Sequence, residues 1–113
     1  MNLVTVTGNL GQDPEIFYSA NSGDPIASFS LAVRSGREKT TWLKVTAFKK
    51  TAEICETYLH KGARIIVSGY LDQDKWEKDG KSYSAIKLIA NQIEFIKTDG
   101  RGFDGKEADD IPF

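Results

Sequence analysis

The sequence predicts an all-β domain with one helix, built as a five-stranded Greek-key barrel. Three observations predict it. Five segments alternate apolar and polar residues at the period of a strand, and one segment between the third and fourth repeats apolar residues at helical spacing. Clusters of Gly, Pro, Asn and Asp separate these segments.

Asn2 to Leu10 mixes Val, Leu and Thr in alternation, and the Gly and Pro of Gly11 to Glu15 end it. Ile16 to Ser19 extends this strand beyond the break. Asn21-Ser22-Gly23-Asp24-Pro25 is turn chemistry, and Ile26 to Val33 follows as the second strand, with Ala27, Phe29, Leu31 and Val33 on its core face. Beyond the polar loop Ser35 to Lys39, the third strand runs from Thr40 to Phe48. Alternation turns Leu43, Val45 and Ala47 inward and Trp42, Lys44, Thr46 and Phe48 outward. The period then changes. Ala52, Cys55, Tyr58 and Leu59 recur at helical spacing, with Thr51 as the cap and Gly62 as the stop, so a helix of about three turns is expected. Ala63 to Leu71 reads as the fourth strand. Lys75 to Ser84 reads as a hairpin turning at Asp79-Gly80, the pair that best tolerates positive φ, and Ser84 to Ile96 as the fifth strand.

Three strands, one helix and two strands is the order of the OB-fold, in which an amphipathic helix plugs one open end of a small barrel. An SH3-like barrel or a sandwich is the alternative. A chain of 113 residues, 40% hydrophobic and 27% charged, has the size and composition of one globular domain. Its single cysteine, Cys55, makes no intrachain disulfide, and its N-terminal residues lack the basic and long apolar regions of a signal peptide. No apolar run approaches the ~20 residues that span a bilayer. A reducing cytoplasm is therefore the expected location, with no membrane partner.

The net charge of −1 argues at first against a nucleic-acid partner. Its distribution argues the other way. Through Lys97 thirteen Lys and Arg face eleven Asp and Glu, a net +2, whereas Thr98 to Phe113 carries two basic and five acidic residues, a net −3. The expected organisation is an OB-fold domain over residues 1–97, a short flexible linker over 98–108 containing Gly100, Gly102 and Gly105, and an acidic tip over 109–113.

Function requires a site, because this fold hosts many activities. Trp42 and Phe48 face outward with Lys44, on a strand whose other face already supplies the core. Large rings on such a face need a cover, either a nucleic-acid strand stacked on them or a second subunit. The hairpin Trp76, flanked by Lys75, Lys78 and Lys81, weighs toward single-stranded nucleic acid, since this loop is a usual ligand-binding arm of OB-folds. The bland reading of Trp76 is cross-strand packing on Tyr83. Arg34, Lys44, Lys50 and Lys75 are the candidate phosphate partners. Duplex recognition is disfavoured, because the one helix carries Glu53 and Glu56 and offers no basic face to a major groove.

Gly8-Asn9-Leu10-Gly11-Gln12-Asp13-Pro14-Glu15, Phe29-Ser30-Leu31-Ala32-Val33, Trp42 with Phe48, Tyr58-Leu59-His60-Lys61-Gly62, Gly69-Tyr70-Leu71 and Trp76 follow one another in a distinctive order and spacing. In these motifs the chain resembles the bacterial single-stranded DNA-binding proteins over essentially its whole folded body. The tip Asp109-Asp110-Ile111-Pro112-Phe113 is similar to that family's terminal partner-docking motif. The resemblance implies a cytoplasmic, nucleoid-associated homotetramer. Single-stranded DNA would wrap over it, stacking on Trp42, Phe48 and Trp76, and replication, recombination and repair proteins would dock at the tip. Two departures stand out. The loop Arg34 to Lys39 is short and lacks the aromatic that many relatives carry there, and the tail is shorter than the family's usual linkers. A reduced accessory or phage-type interaction module, its outward aromatics forming a subunit interface, is the alternative.

No enzymatic activity and no cofactor are expected. The sequence has no Gly-rich phosphate loop ending in Lys-Ser or Lys-Thr, no His-Glu-x-x-His, and one histidine, His60, read as a surface cation at the helix end. Asp72-Gln73-Asp74 begins like a calcium loop, but Trp76 and Glu77 then occupy positions needing an oxygen ligand and a glycine. A metal-dependent nuclease using Asp72 and Asp74 is the one enzymatic alternative. Cys55 lies on the apolar helix face and reads as a structural thiol.

Overall fold

The computed structural model describes residues 1–97. The expected linker and docking tip, residues 98–108 and 109–113, lie outside the described residues. Six strands and one helix follow in the order β1 (Val4–Leu10), β2 (Glu15–Tyr18), β3 (Pro25–Arg34), β4 (Thr40–Phe48), α1 (Lys49–Tyr58), β5 (Arg64–Lys78) and β6 (Lys81–Lys97). The predicted five strands become six segments because Gly11 to Pro14 interrupts the first. β1 and β2 lie along the same edge of β3, through Leu10↔Leu31 and Glu15↔Ser28, and so act as one broken strand.

Hydrogen bonding runs β1-β5-β6-β4-β3, and β3 returns to β1 to close the ring. The closure is uneven. β5 and β6 pair along almost their whole length, whereas β4 and β6 share the three parallel pairs Val45↔Leu88, Thr46↔Ile89 and Ala47↔Ala90. The residues that alternate inward fill the ring: Leu31, Val45, Ile65, Val67 and Leu88 are fully buried. This is the predicted OB-fold, with its helix between the third and fourth long strands.

Helix α1 packs on β3, β4 and β6, where Ala52 and Cys55, followed by Leu59, seal the end of the barrel. Two local expectations are corrected. Thr51 is not the cap: the helix starts directly from β4 at Lys49, whose φ of 54° makes the sharp turn, and Phe48 occupies the N-cap position with no side-chain cap bond. Tyr58, at helical spacing from Cys55, is half exposed and leans on Phe95 at 5.7 Å between ring centroids. His60 follows the helix and is exposed. Burial pushes the Cys55 thiol up to about 12, in line with a structural role.

The hairpin turns at Asp79-Gly80, with φ of 53° and 79°, the pair of positive values a two-residue turn of this hand requires. Its strands are longer than the sequence reading allowed. β5 and β6 continue past the barrel, and every residue from Leu71 to Ile86 is exposed. This projecting ribbon is the arm.

Candidate nucleic-acid interface

Strand register decides which side chains share a surface, because alternate residues point to the same side of a sheet. On β4 the outward set is Trp42, Lys44, Thr46 and Phe48. Their partners on β3 are Ala32, Ser30, Ser28 and Ile26, and Ile26 in turn pairs with Phe17 of β2. Across the parallel seam Thr46 meets Ile89, so Ile89, Lys87, Ala85 and Tyr83 of β6 continue the same face. Tyr70, Asp72, Asp74 and Trp76 complete it on β5. Trp42, Phe48 and Trp76 therefore lie on one continuous outer face.

The rings are open to solvent: Trp42 is 61% exposed, Trp76 46% and Phe48 42%. Phe48 lies six positions beyond Trp42, roughly 20 Å of extended strand, enough for several stacked bases. Trp76 lies toward the Trp42 end, since both β4 and β6 run back in that direction from the seam. Trp76 also stacks on Tyr83, with ring centroids 5.9 Å apart and planes 19° from parallel. The cross-strand packing foreseen for Trp76 is thus present, and it leaves the outer surface of the pair free. The Trp42 ring rests over Gly11 at the mouth of a groove of about 450 Å³ lined by Gln12, Asp13, Glu15, Ser28, Ser30 and Lys44. Asp13 is committed elsewhere in that groove, because its carboxylate accepts the Lys61 N–H at 2.7 Å.

The cations divide. Lys44 is exposed beside Trp42, and Arg34 belongs to the same outward set at the end of β3. Lys49 and Lys50 open the helix next to Phe48, and the first turn holds no acidic residue. Positive charge there opposes the helix dipole and gains nothing for folding, whereas it favours an anion. Lys75 does not join them. It pairs with Ser84 on the opposite side of the arm from Trp76, with Gln73 and Glu77. Lys87, on the outer face, is held by Asp74 at 3.0 Å. Among the described residues no group of three or more His, Cys, Asp or Glu is placed to hold a metal, and Asp74 points its carboxylate at Lys87 rather than at Asp72.

Three outer-face aromatics were not singled out as site residues from sequence: Phe17, Tyr70 and Tyr83, respectively 51%, 43% and 43% exposed. Phe17 forms a row with Ile26 and Phe48 across three strands. The alternation of Ile16 and Phe17 carried that signal, but only the pairing of β2 with β3 turns it into a neighbour of Phe48.

The sequence profile described as "Single-strand binding protein family" matches residues 1–96. Among curated proteins, the chain is 34% identical to the single-stranded DNA-binding protein of Aquifex aeolicus (strain VF5), over 99% of this chain and 82% of that one. It is also 34% identical to the single-stranded DNA-binding proteins of two Neisseria meningitidis strains, over 85% of this chain. The match spans 60% of the length of each Neisseria protein. With a matching profile over nearly all the described residues and relatives at this identity, the chain belongs to the single-strand binding protein family.

Proposed function

We propose that this protein binds and protects single-stranded DNA with little regard to sequence, stacking bases on Trp42, Phe48 and Trp76 while Arg34, Lys44 and Lys50 meet phosphates. One observation carries the reading: the exposed rings of Trp42, Phe48 and Trp76 share one continuous sheet face with Arg34 and Lys44, and Lys50 borders that face at the start of the helix. Stacking uses the π-face common to every base, so sequence tolerance follows. The names of the relatives point to the same ligand. In the full reading the protein acts without catalysis, as a homotetramer in the bacterial cytoplasm, on DNA undergoing replication, recombination and repair. The segment Asp109 to Phe113 docks the proteins of those processes, offering the apolar Ile111 and Phe113 beside acidic Asp109 and Asp110.

Titration with polythymidylate tests the site. Tryptophan emission is expected to be quenched, and Trp42→Ala, Phe48→Ala and Trp76→Ala each to weaken binding by ~1 to 3 kcal/mol where a full stack is lost. Wild-type affinity in all three folded variants refutes the site and favours a subunit interface. Deleting residues 111–113 is expected to leave affinity unchanged and to abolish capture of replication and repair proteins.

A further inference from the structure

We propose that Asn2 is a positioning residue, a clamp that fixes the arm so that Trp76 is presented in line with Trp42; this rests on the proposed DNA-binding role of Trp76. The backbone ladder between β1 and β5 runs from Asn9↔Arg64 to Val4↔Gly69 and stops there. Continued two residues further, the same register sets Asn2 opposite Leu71. At that point a side chain takes over from the backbone. The Asn2 Nδ2 donates to the Leu71 carbonyl at 2.8 Å, and its Oδ1 accepts the Leu71 N–H at 2.9 Å. A primary amide offers one acceptor and a donor in the geometry of a peptide unit, so it stands in for one more ladder pair.

The place it holds is the root of the arm. Leu71 begins the exposed ribbon, whereas its cross-strand partner Leu88 is fully buried. Two residues before it the β5–β6 register shifts between Ser68 and Gly69, a bulge that bends and twists a strand. On one side the arm is tied to β6, and on the other, beyond Val4, Asn2 is the tie to β1. Trp76 lies five residues out, roughly 17 Å along the strand, so a 10° swing at Leu71 displaces its ring by about 3 Å. That displacement is comparable to the thickness of a stacked base. An N-terminal residue 69 positions away in sequence thus sets the aim of the arm.

The test compares Asn2→Ala in two backgrounds, with hydrogen exchange of the free protein as an independent readout. In the free protein, exchange of arm amides from Gln73 to Ser84 is expected to quicken tenfold or more while Ile65 and Val67 stay protected. Oligothymidylate affinity is expected to fall about 3- to 10-fold in Asn2→Ala, but less than 2-fold when Asn2→Ala is added to Trp76→Ala. Asn2→Asp, which keeps the acceptor and sets a carboxylate against the Leu71 carbonyl, is expected to behave like Asn2→Ala. Unchanged arm exchange, or an equal loss of affinity in both backgrounds, overturns the clamp. Wild-type affinity in Trp76→Ala alone would instead overturn the binding role of the arm, and with it the role given to Asn2 on DNA.

Discussion

Gly11→Ala separates the position of the Trp42 ring from the stability of the fold. A methyl group at residue 11 would lie 2.6 Å from Cζ3 and 3.0 Å from Cη2 of Trp42. Carbon atoms rest at about 3.5 to 4.0 Å, so the ring must retreat by roughly 1 Å. It has room to do so, being 61% exposed and at the end of a rotatable side chain. The folding cost is therefore expected to stay within about 0.5 kcal/mol, the range of ordinary surface substitutions. Binding is more sensitive. A ring displaced by 1 Å keeps part of its overlap with a base, and losing half of a ~1 to 3 kcal/mol stack weakens affinity roughly 2- to 10-fold. Urea unfolding and a polythymidylate titration on the same sample give both quantities. An unchanged affinity would show that Trp42 carries no stack in its present position, and a stability loss above about 2 kcal/mol would show that the ring is wedged rather than free.

Gly69→Ala is the contrasting case: its methyl would fall 1.8 Å from the Ile89 carbonyl oxygen and 2.8 Å from the Ile89 carbonyl carbon, both backbone of the neighbouring strand. A loss of about 3 kcal/mol or more in urea unfolding is expected, and a loss under about 1 kcal/mol would mean that the β5–β6 ladder slides freely at its bulge. Cys55, pushed up to about 12 from 9.0 by burial, favours the protonated thiol in the folded state. Its contribution to stability is present below pH 9 and declines as pH rises toward 12, by roughly 1 kcal/mol per pH unit relative to Cys55→Ala. A difference between the two proteins that stays flat from pH 8 to 11 would contradict this.

β4 was legible from sequence because both of its faces speak at once. Leu43, Val45 and Ala47 declare the core, and Trp42, Lys44 and Phe48 the opposite surface. What failed was whatever depends on a strand far away in sequence. Thr46 alternates outward yet is 6% exposed, since the seam sets Ile89 beside it and β3 sets Ser28 on its other side. Lys75 is a neighbour of Trp76 along the chain but not on the same side of the arm. The two-residue turn at Asp79-Gly80 already fixed Lys78↔Lys81 and hence Trp76↔Tyr83, and counting back from it puts Lys75 on the other side. The apolar period begins at Ala52 and so points to Thr51 as the cap, but period marks the buried face of a helix and not its first residue. The pairing of Asn2 with Leu71 had no local signal at all.

The split among the cations sets how binding responds to salt. Each phosphate neutralised on a single strand contributes about −0.7 to the slope of log affinity against log salt. Arg34, Lys44 and Lys50 belong to the aromatic face or border it, Lys87 is already paired with Asp74, and Lys75 lies on the far side of the arm. Three phosphate contacts, as proposed, would give a slope of about −2 per chain, modest for a nucleic-acid binder, and stacking on three rings would then supply most of the affinity. Lys44→Ala is expected to make the slope shallower by about 0.7, and Lys75→Ala to leave it unchanged. If Lys75→Ala changes the slope as much as Lys44→Ala, the strand passes over both sides of the arm, and the assignment of binding to a single sheet face fails.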